Sequence, residues 1–225
     1  MPIPSNIYDI IEKLNTVDRN TPRRKLPTGI IHLFKETFRF GDYVIKKTNY
    51  HKNGDKFHFL FDNEAHWLEN LKGKNIAPDF YGLVKSGKDI ALIIEWLPGI
   101  TLDKLNAFKL MRIDYREITN NMLNTLTQIK GIGLTHKDLR PQNIILTLNN
   151  EIRIIDWQLC STAMERPVGL SKSQVELWDK LLAVAGGVYR QTDLIEHSFD
   201  TDKYAVEKIA GELKKKSWWR RLWGN

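Results

Sequence analysis

The sequence predicts an α+β chain in two lobes, a small antiparallel sheet with one helix followed by a reduced helical half. Three observations carry this. Up to Trp96 the apolar residues fall in strand-length runs, among them Asp89–Trp96, which is apolar almost throughout. Leu97-Pro98-Gly99 then interrupts the chain. Beyond it the apolar residues recur at helical spacing, as in Ile118, Met122, Leu126 and Ile129. The boundaries read as 1–97 for the front lobe and 98–225 for the back lobe of one domain.

The elements follow in order. Residues 6–15 read as a short helix behind an Asn6 cap, ended by the Pro- and Gly-containing stretch 21–29. Ile30–Phe38 and Tyr43–Thr48 read as a hairpin turning at Arg39-Phe40-Gly41-Asp42. Phe61, Ala65, Leu68 and Leu71 predict a helix over 59–72, and Asp79–Val84 with Asp89–Trp96 a second strand pair. Past the break come helices over Leu102–Lys109 and 114–131. The strands Ile144–Leu148 and Ile152–Trp157 flank Asn149-Asn150, and further helices are expected over 171–187 and 203–222.

Composition narrows the function classes. At 225 residues, 42% hydrophobic and 27% charged, the chain can bury a sizeable core. No apolar run approaches the roughly 20 residues a membrane-crossing helix needs. The N-terminus lacks the basic-then-apolar signature of a secretory leader, and the lone Cys160 fits a reducing compartment, so the cytoplasm is the expected location. The net charge of +7 is concentrated: residues 203–225 hold seven Lys/Arg against Glu207 and Glu212, a net +5. Such a local patch points to an anionic surface.

The chemistry is concentrated in His136-Lys137-Asp138-Leu139-Arg140-Pro141-Gln142-Asn143 and the downstream Ile154-Ile155-Asp156. Two carboxylates, an amide and a cation at fixed intervals between apolar strands suit holding Mg²⁺ and a nucleotide triphosphate while a hydroxyl attacks the terminal phosphorus. Asp156 ends a β-run, where a carboxylate is costly unless something cationic faces it. The pattern H-x-D-L-x-P-x-N with a following I-I-D resembles the catalytic and metal-binding segments of the protein-kinase-like superfamily. That resemblance implies ATP as donor and Mg²⁺ as cofactor. It implies Asp138 as the group orienting the acceptor hydroxyl, Arg140 as neutraliser of the transferring phosphoryl charge, Asn143 and Asp156 as metal ligands, and His136 as a supporting residue.

Upstream, Tyr43-Val44-Ile45-Lys46 resembles the family's V-A-I-K strand, with Val44 toward the adenine and Lys46 toward the phosphates. Glu64, eighteen residues on, is the expected salt-bridge partner of Lys46. Glu95 and Leu97 take the hinge positions whose backbone would read the adenine edge, with Ile94 as gatekeeper. Val175-Glu176-Leu177-Trp178 resembles the family's V-D-x-W, which gives Glu176 a supporting role beneath the catalytic loop. Ala163-Met164-Glu165 resembles a trimmed A-P-E motif, eight residues after Asp156.

Departures from the family pattern are equally informative. Gly29 stands alone where a G-x-G-x-x-G loop would cover the phosphates, and Trp157-Gln158 replaces Phe-Gly. Lys137 stands where many protein kinases carry an Arg that binds an activation-loop phosphate; Lys lacks the bidentate fork. The tail Lys214-Lys215-Lys216-Ser217-Trp218-Trp219-Arg220-Arg221-Leu222-Trp223 interleaves bases with aromatics. That mixture suits an anionic membrane surface at residues 214–225 more than nucleic acid. Size, tail and the apparently short segment after Asp156 resemble the small bacterial kinases of lipopolysaccharide core heptose or Kdo sugars, acting peripherally at the inner membrane face. The Leu139-Arg140-Pro141-Gln142-Asn143 wording is nearer to serine/threonine protein kinases, and a nucleotide-binding pseudokinase scaffold is the non-enzymatic alternative.

Overall fold

The structure is a computed structural model that describes residues 24–25, 35–48, 54–86, 89–105, 114–162, 166–189 and 199–223. The expected helix at 6–15, the lone Gly29 and the Ala163-Met164-Glu165 segment lie outside these residues. A five-stranded antiparallel sheet is formed by β1 (Arg24–Lys25), β2 (Lys35–Phe40), β3 (Tyr43–Thr48), β4 (Phe80–Ser86) and β5 (Asp89–Glu95), in the order β1-β2-β3-β5-β4. The β2–β3 connection is tighter than the sequence predicts. Phe40 stays in the ladder opposite Tyr43, and Gly41 turns the chain at φ +54°, where a side chain would be strained.

Helix α1 (His58–Asn70) packs one face of this sheet. Strand alternation sends Val44 into the main core, together with Phe61, Leu68, Leu92 and Ile94, while Ile45, Ala91 and Ile93 form a small cluster on the opposite face. Lys46 follows Val44 at period two and so faces α1.

Beyond the hinge, β6 (Gly99–Thr101), β8 (Ile144–Thr147) and β9 (Ile152–Ile154) form a small sheet, and β7 (Leu134–Thr135) pairs with β10 (Ser161–Thr162). Gly99 is required there: a Cβ at that position would collide with the Leu146 carbonyl. Helix α2 (Tyr115–Gly131) starts at Asp114, whose side chain accepts the Arg116 N–H at 2.9 Å. It buries Ile118, Met122, Leu126 and Ile129, each such burial contributing about 1.5–3 kcal/mol. Helix α3 (Lys172–Val184) opens with a capping box between Ser171 and Gln174. Helix α4 (Phe199–Trp223) buries Asp202, Ala205, Val206, Ile209 and Leu213 along one face.

Two expectations shift. The described part of the predicted helix at Leu102–Lys109 is a short 3₁₀ turn, Leu102–Lys104. The last strand ends at Ile154, because Asp156 turns into the left-handed region and a 3₁₀ turn, Trp157–Leu159, follows. No helix among the described residues is long and apolar enough to cross a membrane.

Candidate active site

The site forms where the front sheet, α1 and the small sheet meet. Lys46 on β3 is 6% exposed, and its ammonium donates to Glu64 Oε1 on α1 and to Asp156 Oδ1 at 3.2 Å. Three residues spread over 110 positions thereby converge on one cation. Burial opposes a charged Lys46, but Glu64 and Asp156 outweigh it and hold the ammonium above its ordinary range. Asn63 positions α1 for this contact, since its Nδ2 donates to the carbonyls of Gln158 and Cys160, both at 2.9 Å. A backbone–side chain clamp thus ties the helix carrying Glu64 to the segment following Asp156.

Asp156 itself has φ +70°, an unusual region for a non-glycine residue that Asp tolerates better than most. Trp157 is fully buried behind it. Its indole donates to the Ile154 carbonyl at 2.7 Å and meets His136 edge-on at 4.9 Å. The bulk of Trp157, in place of Phe-Gly, wedges the turn that carries Asp156.

The loop from His136 to Asn143 approaches from the other side. Asp138 is 2% exposed. Its Oδ2 accepts from Arg140 at 2.8 Å and from the Asn143 amide at 3.0 Å, and its Oδ1 accepts the Gly186 backbone N–H at 2.6 Å. Burial pushes this carboxyl above the usual range, against the pull of Arg140. The Asn143 amide nitrogen is spent on Asp138, which leaves its Oδ1 with no partner among the described residues. Ile155 N–H donates to the Asn143 carbonyl at 2.9 Å, so Asn143 and Asp156 lie side by side on neighbouring strand ends. An amide oxygen beside a carboxylate is a hard-donor pair that fits a magnesium ion completing its shell with phosphate oxygens and water.

His136 is held neutral. Its Nδ1 accepts the Asp138 N–H at 3.3 Å, its Nε2 faces the Ile155 carbonyl at 3.1 Å, and burial pulls its pKa down to about 4. It braces the loop between the two carboxylate positions. Lys137 sits at φ +69° and turns away from the site, donating to Ser161 Oγ with its ammonium 5.7 Å from the Trp178 ring.

The hinge also matches the expectation placed on it. Glu95 N–H donates to the Asp79 carbonyl and Trp96 N–H to the Asp42 carbonyl, both at 2.8 Å. Leu97 N–H has no partner among the described residues, which leaves a buried donor where an adenine edge would supply an acceptor. Val44 lies close by on the core face of β3, opposite Ile94.

Glu176 is the residue the structure does not bring in. It lies exposed on α3, and the backbone donors it was expected to hold are taken by Asp202 of α4. Asp202 Oδ2 accepts His136 N–H at 2.6 Å and its Oδ1 accepts Lys137 N–H at 3.0 Å. Burial raises this carboxyl to about 7. Trp178 and Asp202 do separate jobs: Trp178 is fully buried against Phe59 of α1, while Asp202 fixes the loop. Sequence carried a signal for Asp202, an acid heading the apolar stripe Ala205, Val206, Ile209 and Leu213. A carboxylate on a buried helical stripe needs donors, and two strained-loop N–H groups supply them.

This reassignment also lengthens the segment after Asp156. It runs to Asp202 through 45 residues and includes β10 and α3, so it is not short. The case for a small acceptor that rested on its brevity falls.

Comparison with known proteins agrees with the geometry. The chain is 28% identical over 149 residues to Serine/threonine-protein kinase D of Synechocystis sp., covering 65% of this chain and 29% of that one. It is 36% identical over 90 residues to Serine/threonine-protein kinase C of the same organism, covering 38% and 17%. The chain therefore spans less than a third of the length of these relatives. Among solved structures, the bifunctional kinase-methyltransferase WbdD shares its fold with a TM-score of 0.53 at 20% identity, covering 85% of this chain and 46% of that one. Residues 29–177, holding Lys46, Glu64, Asp138, Asn143 and Asp156, match the protein kinase domain, and the chain belongs to that family.

Proposed function

We propose that this chain is an ATP- and Mg²⁺-dependent phosphotransferase acting on a hydroxyl acceptor. The observation that carries it is the convergence of Glu64, Lys46 and Asp156 on one side of a cleft and of Asp138, Arg140 and Asn143 on the other. Leu97 N–H and the Glu95 backbone would read the adenine, and Val44 would pack its ring. Lys46 would hold the α- and β-phosphate oxygens, with Glu64 keeping its ammonium in place. Asn143 Oδ1 and Asp156 would hold magnesium, which when bound draws off charge from the phosphate oxygens.

Asp138 orients the acceptor hydroxyl and takes its proton as that oxygen bonds to the γ-phosphorus and the bond to the β–γ bridging oxygen of ADP breaks. Its raised carboxyl suits proton acceptance. Arg140, already bonded to Asp138, balances the charge moving with the phosphoryl group.

For the acceptor, the reading favoured here is a glycolipid sugar presented at an anionic membrane face. Its support is the end of α4, which continues as helix ten residues beyond Leu213, the last buried position described, through Lys214, Lys215, Lys216, Arg220, Arg221 and three tryptophans. A protein serine or threonine is the second reading, supported by the relatives' names and by the 45 residues available after Asp156. Transfer of labelled γ-phosphate to purified lipopolysaccharide core lipid, run beside a mixed protein substrate, separates them. Label on the lipid alone supports the first and label on protein alone the second. Label on neither, with ATP bound, returns the chain to a scaffold role.

A further inference from the structure

The two halves of the site differ in readiness, and the difference is localised in one short segment. Lys46, Glu64 and Asp156 are already paired as a nucleotide would require, whereas Asp138 has no acceptor position to offer. Its Oδ2 is taken by Arg140 and Asn143, its Oδ1 by Gly186 N–H, and the residue is 98% buried. A hydroxyl orienting itself on this carboxylate would donate to Oδ1 as that backbone N–H does.

We infer that residues 185–189, between α3 and α4, form a built-in gate whose Gly186 N–H occupies the acceptor hydroxyl's place on Asp138, so that the acceptor binds only after this segment swings out. This rests on the reading of Asp138 as the acceptor-orienting group.

The segment's anchorage suits such a motion. Gly186 and Gly187 follow one another with φ +73° and +51°, a left-handed pair that only glycine adopts without strain. Val184 and Val188 are largely exposed, and Ala185 is the only buried apolar side chain of the segment. What holds the far end is polar: Tyr189 Oη donates to Glu212 Oε2 at 2.8 Å, and the Lys208 ammonium donates to the Val188 carbonyl. Both partners lie on α4, the helix whose Asp202 fixes the catalytic loop. The nucleotide-binding groups make no contact with these tethers, so the gate can open without dismantling the Lys46–Glu64 pair.

The test uses water as acceptor, which needs no knowledge of the natural one. In ATP hydrolysis a water oxygen bonds to the γ-phosphorus, the bond to the bridging oxygen of ADP breaks, and the proton passes to Asp138. Two variants loosen the gate from different ends. Tyr189→Phe with Lys208→Met removes the tethers. Gly187→Ala penalises the left-handed backbone alone, because a Cβ there meets nothing within 4 Å. Each is expected to raise the Mg²⁺-ATP hydrolysis rate about fivefold, consistent with the loss of one hydrogen bond or of one left-handed residue's tolerance. The dissociation constant of a fluorescent ATP analogue should stay within twofold, and Asp138→Ala should cancel the gain. Unchanged or slower hydrolysis in variants that bind nucleotide overturns the gate and makes the segment a brace. Loss of nucleotide binding in the wild-type chain would instead remove the underlying reading of the site. Should one variant fail to fold, the other decides.

Discussion

The nucleotide side and the acceptor side of this cleft are built by different means. On the nucleotide side, charges are buried and satisfied by one another: Lys46 between Glu64 and Asp156, with Asn63 clamping α1 to the following turn. On the acceptor side, charges are buried and satisfied largely by backbone: Asp138 by Gly186 N–H, Asp202 by the N–H groups of His136 and Lys137. A side chain–side chain set survives small chain movements because its long arms adjust. A backbone-satisfied set is lost as soon as the segment supplying the donor moves. The first suits a preassembled binding site, and the second suits a position that changes occupant.

The largest expected effect breaks the acceptor side alone. Asp138→Ala should lower phosphate transfer by about 10²–10⁴-fold while a fluorescent ATP analogue still binds within a fewfold. If binding and turnover fall together, the two sides are not separable. Lys46→Met attacks the other side and should cost turnover and nucleotide affinity together. It also strands Glu64 as a buried, unpaired charge, so urea unfolding at pH 7 should show a loss of about 3 kcal/mol. An unchanged urea midpoint would mean that the Lys46–Glu64 pair contributes nothing to the fold.

A pH experiment sharpens the comparison at the brace between the sides. With its folded pKa near 4 against 6.5 unfolded, His136 binds its proton more readily in the unfolded chain. The stability from burying it neutral is fully present above pH 6.5 and is lost as pH falls toward 4, a span equivalent to about 3 kcal/mol. Asp202, raised to about 7, contributes in the opposite direction over much of that window. The informative quantity is therefore the wild-type urea midpoint minus that of His136→Asn, which should shrink as the pH is lowered from 6.5 to 4. A flat difference would show His136 ionising freely. The smallest catalytic effect is reserved for the tail. Deleting residues 214–225 should leave ATP hydrolysis within twofold while abolishing sedimentation with anionic liposomes, and retained sedimentation would remove the membrane reading.

Much of the site was legible because the relevant residues are close in sequence or fall on a simple period. His136, Asp138, Arg140 and Asn143 sit within eight positions, and Val44 and Lys46 share a strand face by alternation. Asp202 was missed because its ligands are backbone N–H groups, which every residue carries, so no residue type marks the contact. Glu176 was favoured in its stead by the neighbouring Trp178, a residue that is buried for a different reason: it packs on Phe59 and the Lys137 stem region.

Sequence alone determined the family, the division into sheet-rich and helix-rich parts, and the identities of the cation, carboxylates and amide, because periodicity and motif spacing are local properties. Tertiary structure alone decided that α4 rather than α3 supports the loop, that the chain after Asp156 is long, and that Gly186 sits on Asp138. Those outcomes depend on where a backbone donor arrives in space, and packing and chain connectivity set that position.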